Sequence, residues 1–262
     1  MQGDSALGRA LGLVRDLRLR CPWDRAQTPQ TLRPYLVEEV LELDHAVQTD
    51  DPAAVRDELG DVLLHLAFQI VIGEERSQFN AEVVTRSLEE KMWRRHPHLF
   101  AGARSGTGGS DHANWELVKR REPRAGGRRG TLAGLPPTLP PLLMAYRLQE
   151  RAAGVGFDWP DAQGPLAKVK EETAELEREA ASGTPKDMEW DAMEVELGDL
   201  LFAVVNLARK LEIEPGQALE KANAKFTRRF EQMEALAEER GVEIGRASLA
   251  ELDGLWEEVK RR

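Results

Sequence analysis

This chain is written twice, and that limits its fold more than anything in its composition. Residues 38–42 (EEVLE) recur as residues 171–175 (EETAE), and residues 57–63 (DELGDVL) as residues 195–201 (VELGDLL). Residues 91–95 (KMWRR) recur as 225–229 (KFTRR), and residues 115–121 (WELVKRR) as 256–262 (WEEVKRR). The four pairs keep their order at offsets of 133, 138, 134 and 141 residues, which points to a tandem duplication rather than chance. Between the copies, residues 123–141 are rich in Gly, Pro and Arg and read as a linker, and a second Gly-rich stretch, 102–109, lies inside the first copy. The expected layout is one domain over 1–122 and another over 142–262.

Each copy must bury a core of its own. The material is there: 41 % of the 262 residues are hydrophobic, and 22 glycines bring the apolar share near that of globular domains. Apolar residues recur at helical spacing at Leu36, Val40, Leu43 and Val47, then at Val55, Leu59, Val62 and Leu66. The second copy repeats the pattern with Val169, Thr173, Leu176 and Ala180, then Met193, Leu197, Leu200, Val204, Leu207 and Leu211. Thr28-Pro29, Asp51-Pro52 and Thr184-Pro185 each set a capping side chain before a proline suited to a first helical turn. Pro34 predicts either a kink in a helix begun at Thr28 or a later start at Thr31. No convincing alternating strand is present. The predicted class is all-α, as tandem helical bundles with short connections.

The acidic residues fall in a pattern on these helices. With each apolar stripe set at zero and ~100° per residue, Glu172 lies about 60° and Glu175 about 120° to one side, with Lys168 at about 100°. Glu171 points nearly away from the core. Glu196 and Asp199 take the same two angles on the next helix, and Glu39, Glu42, Glu58 and Asp61 repeat them in the first copy. Facing helices would then bring four carboxylates together in each copy, where they repel one another unless a cation or protons intervene. All-oxygen ligation, with no Cys and no well-placed His, suits Mg2+ or Mn2+ rather than zinc. One Glu-x-x-Glu pair is an ordinary solvated helix flank; two on adjacent helices, repeated in both copies, ask for another explanation. A di-iron carboxylate bundle wants Glu-x-x-His, and Glu42 and His45 have that spacing, but Arg178 holds the corresponding place in the second copy.

Basic residues follow in each copy: Lys91, Arg94 and Arg95, then Lys225, Arg228 and Arg229. Lys-x-x-Arg spacing puts two cations on one helix face. Beside a metal site this suits a polyphosphate held between metal and cations, although a basic cluster alone is commonly a solvated face. Trp115 and Trp256 have two uses, stacking on a base or packing near a helix end. With 46 acidic against 36 basic residues and a formal charge of −10, the chain lacks the broad basic face of a nucleic-acid binder. Lone Cys21 excludes an intrachain disulfide and fits a reducing compartment. The longest apolar stretch, 62–72, is interrupted by His65 and Gln69 and is too short for a membrane span. Asp4, Arg9, Arg15 and Asp16 stand where a signal peptide needs an apolar run, so a soluble cytoplasmic protein is expected.

On these motifs the chain resembles the MazG family of the all-α NTP pyrophosphatase superfamily. The resemblance covers nearly the whole length, from residues 21–24 (CPWD) through 94–100 (RRHPHLF), 156–159 (GFDW) and 222–230 (ANAKFTRRF) to 256–262, with EExxE followed by ExxD in both copies. It implies Mg2+-dependent hydrolysis of nucleoside triphosphates to monophosphate and pyrophosphate, broad in base and sugar, clearing aberrant or surplus nucleotides. It also implies a homodimer with bundles assembled across the subunit contact. Carried over by motif, the metal ligands are Glu172, Glu175, Glu196 and Asp199, with Glu172 or Glu175 accepting a proton from water. Lys168, Glu171, Lys225, Arg228, Arg229 and Trp256 contact the nucleotide, and Glu39, Glu42, Glu58 and Asp61 form a second, weaker metal site. Similar proteins often carry a lysine just before the second acidic pair. Here residues 190–195 have none, and the nearest is Lys186.

The copies are not equivalent. Tyr35 replaces Lys168, and Glu89 stands where the second copy has Asn223. The first copy thus loses a cation and gains an anion near the expected triphosphate, so the C-terminal copy is expected to carry most of the turnover. Two rival readings stand beside this one: hydrolysis of a specialised nucleotide such as phosphoribosyl-ATP, and a non-catalytic helical regulator or scaffold that binds nucleotide or a partner protein.

Overall fold

A computed structural model describes residues 5–96, 99, 130–181 and 190–261 of the chain. Among these residues every regular element is an α-helix, and no helix is long and apolar enough to cross a membrane. The chain divides into two compact units, Met1–Gly108 and Gly109–Arg262. The Thr184-Pro185 helix start, Lys186, Trp115 and the Gly-rich stretch at 102–109 lie outside the described residues.

The first unit holds α1 (Ala6–Arg20), α2 (Pro22–Ala26), α3 (Pro29–Thr49), α4 (Pro52–Glu75) and α5 (Ala81–Arg95). Thr28 starts α3 with a reciprocal cap. Its hydroxyl accepts from the Thr31 N–H at 3.2 Å, and the Thr31 hydroxyl accepts from the Thr28 N–H at 2.8 Å. The helix therefore begins at the earlier of its two expected starts and carries Pro34 inside, giving up one intrahelical hydrogen bond. Asp50, in the left-handed region at φ 54, closes α3, and Asp51 caps α4 by accepting from the N–H of Ala53 and Ala54 at 2.9 and 3.3 Å. This short connection folds α4 back on α3, the principal helix pairing of the unit.

Its core is Val14, Leu32, Ala67, Phe68, Val71 and Ile72, where α1 and the start of α3 cover the C-terminal half of α4. The CPWD segment is held in the same place. The Arg18 guanidinium, 8 % exposed, donates to both Glu75 oxygens at 2.7 Å and to the Asp24 carbonyl at 2.8 Å, locking α1, α2 and α4 together. These bonds hold the Glu75 carboxyl below the usual glutamate range.

The second unit holds α6 (Pro141–Ala153), α7 (Gln163–Ala181), α8 (Trp190–Lys210), α9 (Pro215–Glu239) and α10 (Leu249–Arg261). Helices α7 and α8 repeat the α3–α4 pairing; α6 packs on α8 and α9, and α9 on α10. Met233, Leu236, Ala237, Leu255 and Val259 form the α9–α10 core. Residues 130–140, which composition assigns to the linker, form turns whose Leu132 and Ala133 carbonyls accept from Arg151 of α6 at 3.3 and 2.6 Å.

The GFDW segment fastens the start of α7 to the end of α8. Asp158 pairs with Arg209 and, at 3.3 Å, with Lys210, whose ammonium also donates to the Trp159 carbonyl at 2.7 Å. Burial alone would raise the Asp158 carboxyl, but the bonds from Arg209 and Lys210 outweigh it and hold the group low. The Trp159 ring lies directly over Gly164, leaving no room for a Cβ in the first turn of α7.

The helix pairs depart from the helical-wheel expectation in one respect. The stripe read as core stays half open on the single chain: Val40, Val47, Leu59 and Leu66 are 47–58 % exposed, and Leu197 and Val204 are 44–47 % exposed, with Leu201 beside them at 51 %.

Candidate metal centre and nucleotide site

In the second unit, carboxylate oxygens of Glu172 on α7 and of Glu196 and Asp199 on α8 lie within 4.8 Å of one another. Glu171, Glu172 and Glu175 form an overlapping group on α7, sharing Glu172. Spacing of three along each helix sets each acidic pair on one face, and the α7–α8 pairing makes those faces meet. Glu172 is buried, at 4 % exposure. Lys168, one turn earlier on α7, places its ammonium 2.5 Å from Glu172 Oε1 and 2.9 Å from Glu171 Oε1. Those two bonds push the Lys168 pKa far above that of a free lysine, so it stays charged. Arg178 pairs with Glu175 at 3.1 Å.

Burial and the neighbouring Glu175, Glu172 and Asp199 raise the Glu196 carboxyl above its ordinary value. The group is short of positive charge, since Lys168 and Arg178 are the cations paired with it among the described residues. A convergent set of carboxylate oxygens with unbalanced charge is the donor set of a hard divalent cation, so the residues present fit one.

The first unit repeats the geometry. Glu39 on α3 and Glu58 and Asp61 on α4 bring oxygens within 4.8 Å. Glu39 is raised by burial and by Asp61 and Glu42, and Glu58 by burial and by Glu42 and Asp61, which places Glu42 in the same field. A groove of about 720 Å³ opens beside the cluster, lined by Val37, Leu41, Ala46 and the carboxylates of Glu42 and Glu58.

One residue beside this cluster, though not among its converging ligand atoms, escaped the sequence reading, which found no histidine suitably placed. His65 is 8 % exposed and presents Nε2 at 3.8 Å from Glu39 Oε1. Burial pulls its pKa down, against a smaller upward pull from Asp61. The signal was available: Glu58, Asp61 and His65 stand at i, i+3 and i+7 of α4 and so share a face.

The structure does not bring every predicted contact residue to the carboxylates. Lys225 and Arg228 are exposed and Arg229 half-buried on α9. Trp256 on α10 packs against Phe226, with ring centroids 5.4 Å apart, at the edge of the α9–α10 core. Among the described residues no hydrogen bond or ion pair joins any of these four to the acidic cluster.

The comparisons with known proteins agree with a duplicated all-α chain carrying a carboxylate cluster between paired helices in each copy. The family model for the MazG nucleotide pyrophosphohydrolase domain matches residues 27–100 and again residues 162–234, two spans that enclose the two acidic helix pairs. The chain belongs to the MazG family and is a hydrolase of that family. It is 42 % identical over 241 residues to the nucleoside triphosphate pyrophosphohydrolase/pyrophosphatase MazG of Thermotoga maritima, covering 92 % of this chain and 89 % of that protein. To the nucleoside triphosphate pyrophosphohydrolase of Escherichia coli K12 it is 37 % identical over 249 residues, 95 % of this chain and 94 % of that one. YabN of Bacillus subtilis is 42 % identical over 250 residues, covering 95 % of this chain and 50 % of that longer protein.

Proposed function

We propose that the C-terminal copy hydrolyses nucleoside triphosphates, ribo and deoxy, to nucleoside monophosphate and pyrophosphate, using Mg2+ or Mn2+, as a nucleotide-pool house-cleaning enzyme of the cytoplasm. The observation that carries this reading is the convergence of Glu172, Glu196 and Asp199 beside the Lys168 ammonium. The names of the Thermotoga and Escherichia relatives support the substrate class.

Glu172, Glu175, Glu196 and Asp199 would hold the divalent cation, which supplies charge neutralisation of phosphate oxygens and a polarised water. Glu172 and Glu175 are the carboxylates available to accept a proton from a water attacking the α-phosphorus. Lys168 serves twice: it pairs with the buried Glu172, and its ammonium offsets developing phosphate charge. Lys225, Arg228 and Arg229 meet the remaining charge of the leaving pyrophosphate, and Glu171 and Trp256 complete the nucleotide contacts.

The half-open stripe of Leu197, Leu201 and Val204 is matched by the same stripe on the first copy, which suits a homodimer in which these faces cover one another. The test of function is anion-exchange analysis of purified protein with each NTP and dNTP plus Mg2+. Equal monophosphate and pyrophosphate are expected. Nucleotide binding without product would leave a regulator instead of an enzyme.

A further inference from the structure

The helix face beside the carboxylates changes chemistry between the copies. In the first unit Pro34, Val37, Leu41 and His45 line the groove next to Glu42 and Glu58. They stand at i, i+3, i+7 and i+11 of α3 and so form one stripe of that helix. The repeat offset of 133 puts Ala167, Lys170, Ala174 and Arg178 at those places on α7, and all four are exposed. A largely apolar wall has become two alanines alternating with two cations, alongside Glu171 and Glu175.

Neither cation is used up by the fold. Arg178 donates from Nη2 to Glu175 Oε1 at 3.1 Å and from Nε to the Ala174 carbonyl at 3.4 Å, and its side chain is 71 % exposed. A guanidinium has five N–H groups, so three are left for another acceptor among the described residues. Lys170 makes no ion pair among them. An exposed i, i+3 pair adds little stability, so packing gives no reason for this arrangement. The two cations lie eight residues apart, about 12 Å along the helix axis, with only the methyl group of Ala174 between them. On α3 the places of Lys168, Lys170 and Arg178 are held by Tyr35, Val37 and His45, so no lysine or arginine stands there. A polyphosphate is repelled by a carboxylate cluster unless cations stand beside it, and a guanidinium offers a fork that fits two phosphate oxygens.

We propose that Lys170 and Arg178 form a cationic wall that holds the phosphate chain of the substrate along α7 in the C-terminal copy. The proposal rests on the reading that this copy acts on nucleoside triphosphates, and it names side chains that tell a triphosphate from a monophosphate. The apolar stripe of α3 makes the same ligand a poor fit to the first copy.

The test is calorimetric titration of the full-length chain with α,β-methylene ATP, which resists cleavage between the α- and β-phosphates, and with AMP, both with Mg2+. The parent should bind the analogue more tightly than AMP. Lys170→Gln and Arg178→Gln should each weaken the analogue about 10-fold, and the double variant about 100-fold, while AMP binding changes by less than about 2-fold. Arg178→Lys should recover part of the loss. Arg86→Gln removes an exposed cation from an equivalent helical ion pair in the first unit and should change nothing, with circular dichroism unchanged throughout. Analogue binding unaltered in the double variant, or analogue and AMP weakened equally, overturns the inference and leaves the hydrolytic reading standing. Tighter Mg2+ binding by Arg178→Gln with unchanged discrimination also overturns it, because Arg178 then only neutralises Glu175. A parent that binds the analogue through these residues but releases no product from ATP keeps the wall and removes the hydrolytic reading. A parent that binds no analogue overturns both.

Discussion

The Lys168 ammonium lies 2.5 Å from Glu172 Oε1 across one turn of α7, and Glu172 is the one acidic residue fully buried among the described residues. A carboxylate in that position needs a positive partner at all times. Lys168 supplies it from the chain itself. The matching pair in the first copy, Tyr35 and Glu39, has no such bond, which is the clearest structural difference between the two sites.

Lys168→Met removes that partner while keeping most of the apolar stem. It should lower kcat/KM for nucleoside triphosphates about 10- to 100-fold, while Glu172→Gln should cost about 100-fold or more in kcat. Steady-state kinetics with unchanged circular dichroism checks both. Equal activity of Lys168→Met and the parent would remove Lys168 from the site.

The raised Glu39, Glu58 and Glu196 carboxyls set the pH response. A group held above its unfolded-state value favours the fold while protonated, and that contribution is lost as pH rises through the folded value. Metal-free protein should therefore gain stability from these groups as pH falls from neutral toward about 5. A divalent cation needs the ionised forms, so its stabilisation should run the other way, about 5 °C or more in Tm at neutral pH and shrinking toward pH 5. Thermal melts with and without Mg2+ across that range read the crossing directly.

Gly164→Ala and Gly60→Ala should differ in sign. A Cβ at Gly164 runs into the Trp159 ring at the start of α7, whereas one at Gly60 meets open space in the middle of α4. The first should cost roughly 1–3 kcal/mol and lower activity by loosening the Asp158 clamp. The second should stabilise the unit by up to about 1 kcal/mol. Denaturant midpoints at constant slope give both values.

Leu201 is 51 % exposed on the open face of α8. If that face is covered by a second copy, Leu201→Asp should convert the dimer to monomer in sedimentation analysis with little loss of helix. An unchanged sedimentation coefficient would put the interface elsewhere.

The helical class and the duplication were legible in the sequence because they depend on spacing along single helices; of the four carboxylates expected together in each copy, Glu172, Glu196 and Asp199 converge in the second and Glu39, Glu58 and Asp61 in the first. Thr28-Pro29 and Asp51-Pro52 read correctly as helix starts for the same reason: a cap is local. The burial of Glu172 was not legible. A helical wheel takes the apolar stripe as the inside, and only the pairing of α7 with α8 reveals that the stripe is left half open while Glu172 is enclosed. His65 was missed on the same account, since its relation to Glu39 crosses from α4 to α3. The GFDW segment was a motif without a physical role until its Asp158 met Arg209 and Lys210, some fifty residues further along the chain.

The central claim is that water attacks the α-phosphorus at the C-terminal carboxylates. Hydrolysis of a nucleoside triphosphate in ¹⁸O-water, followed by mass analysis of both products, tests it most directly. The account predicts the label in the nucleoside monophosphate and none in pyrophosphate, with Glu172→Gln suppressing both products. Label in pyrophosphate, or in orthophosphate released beside a nucleoside diphosphate, would contradict it.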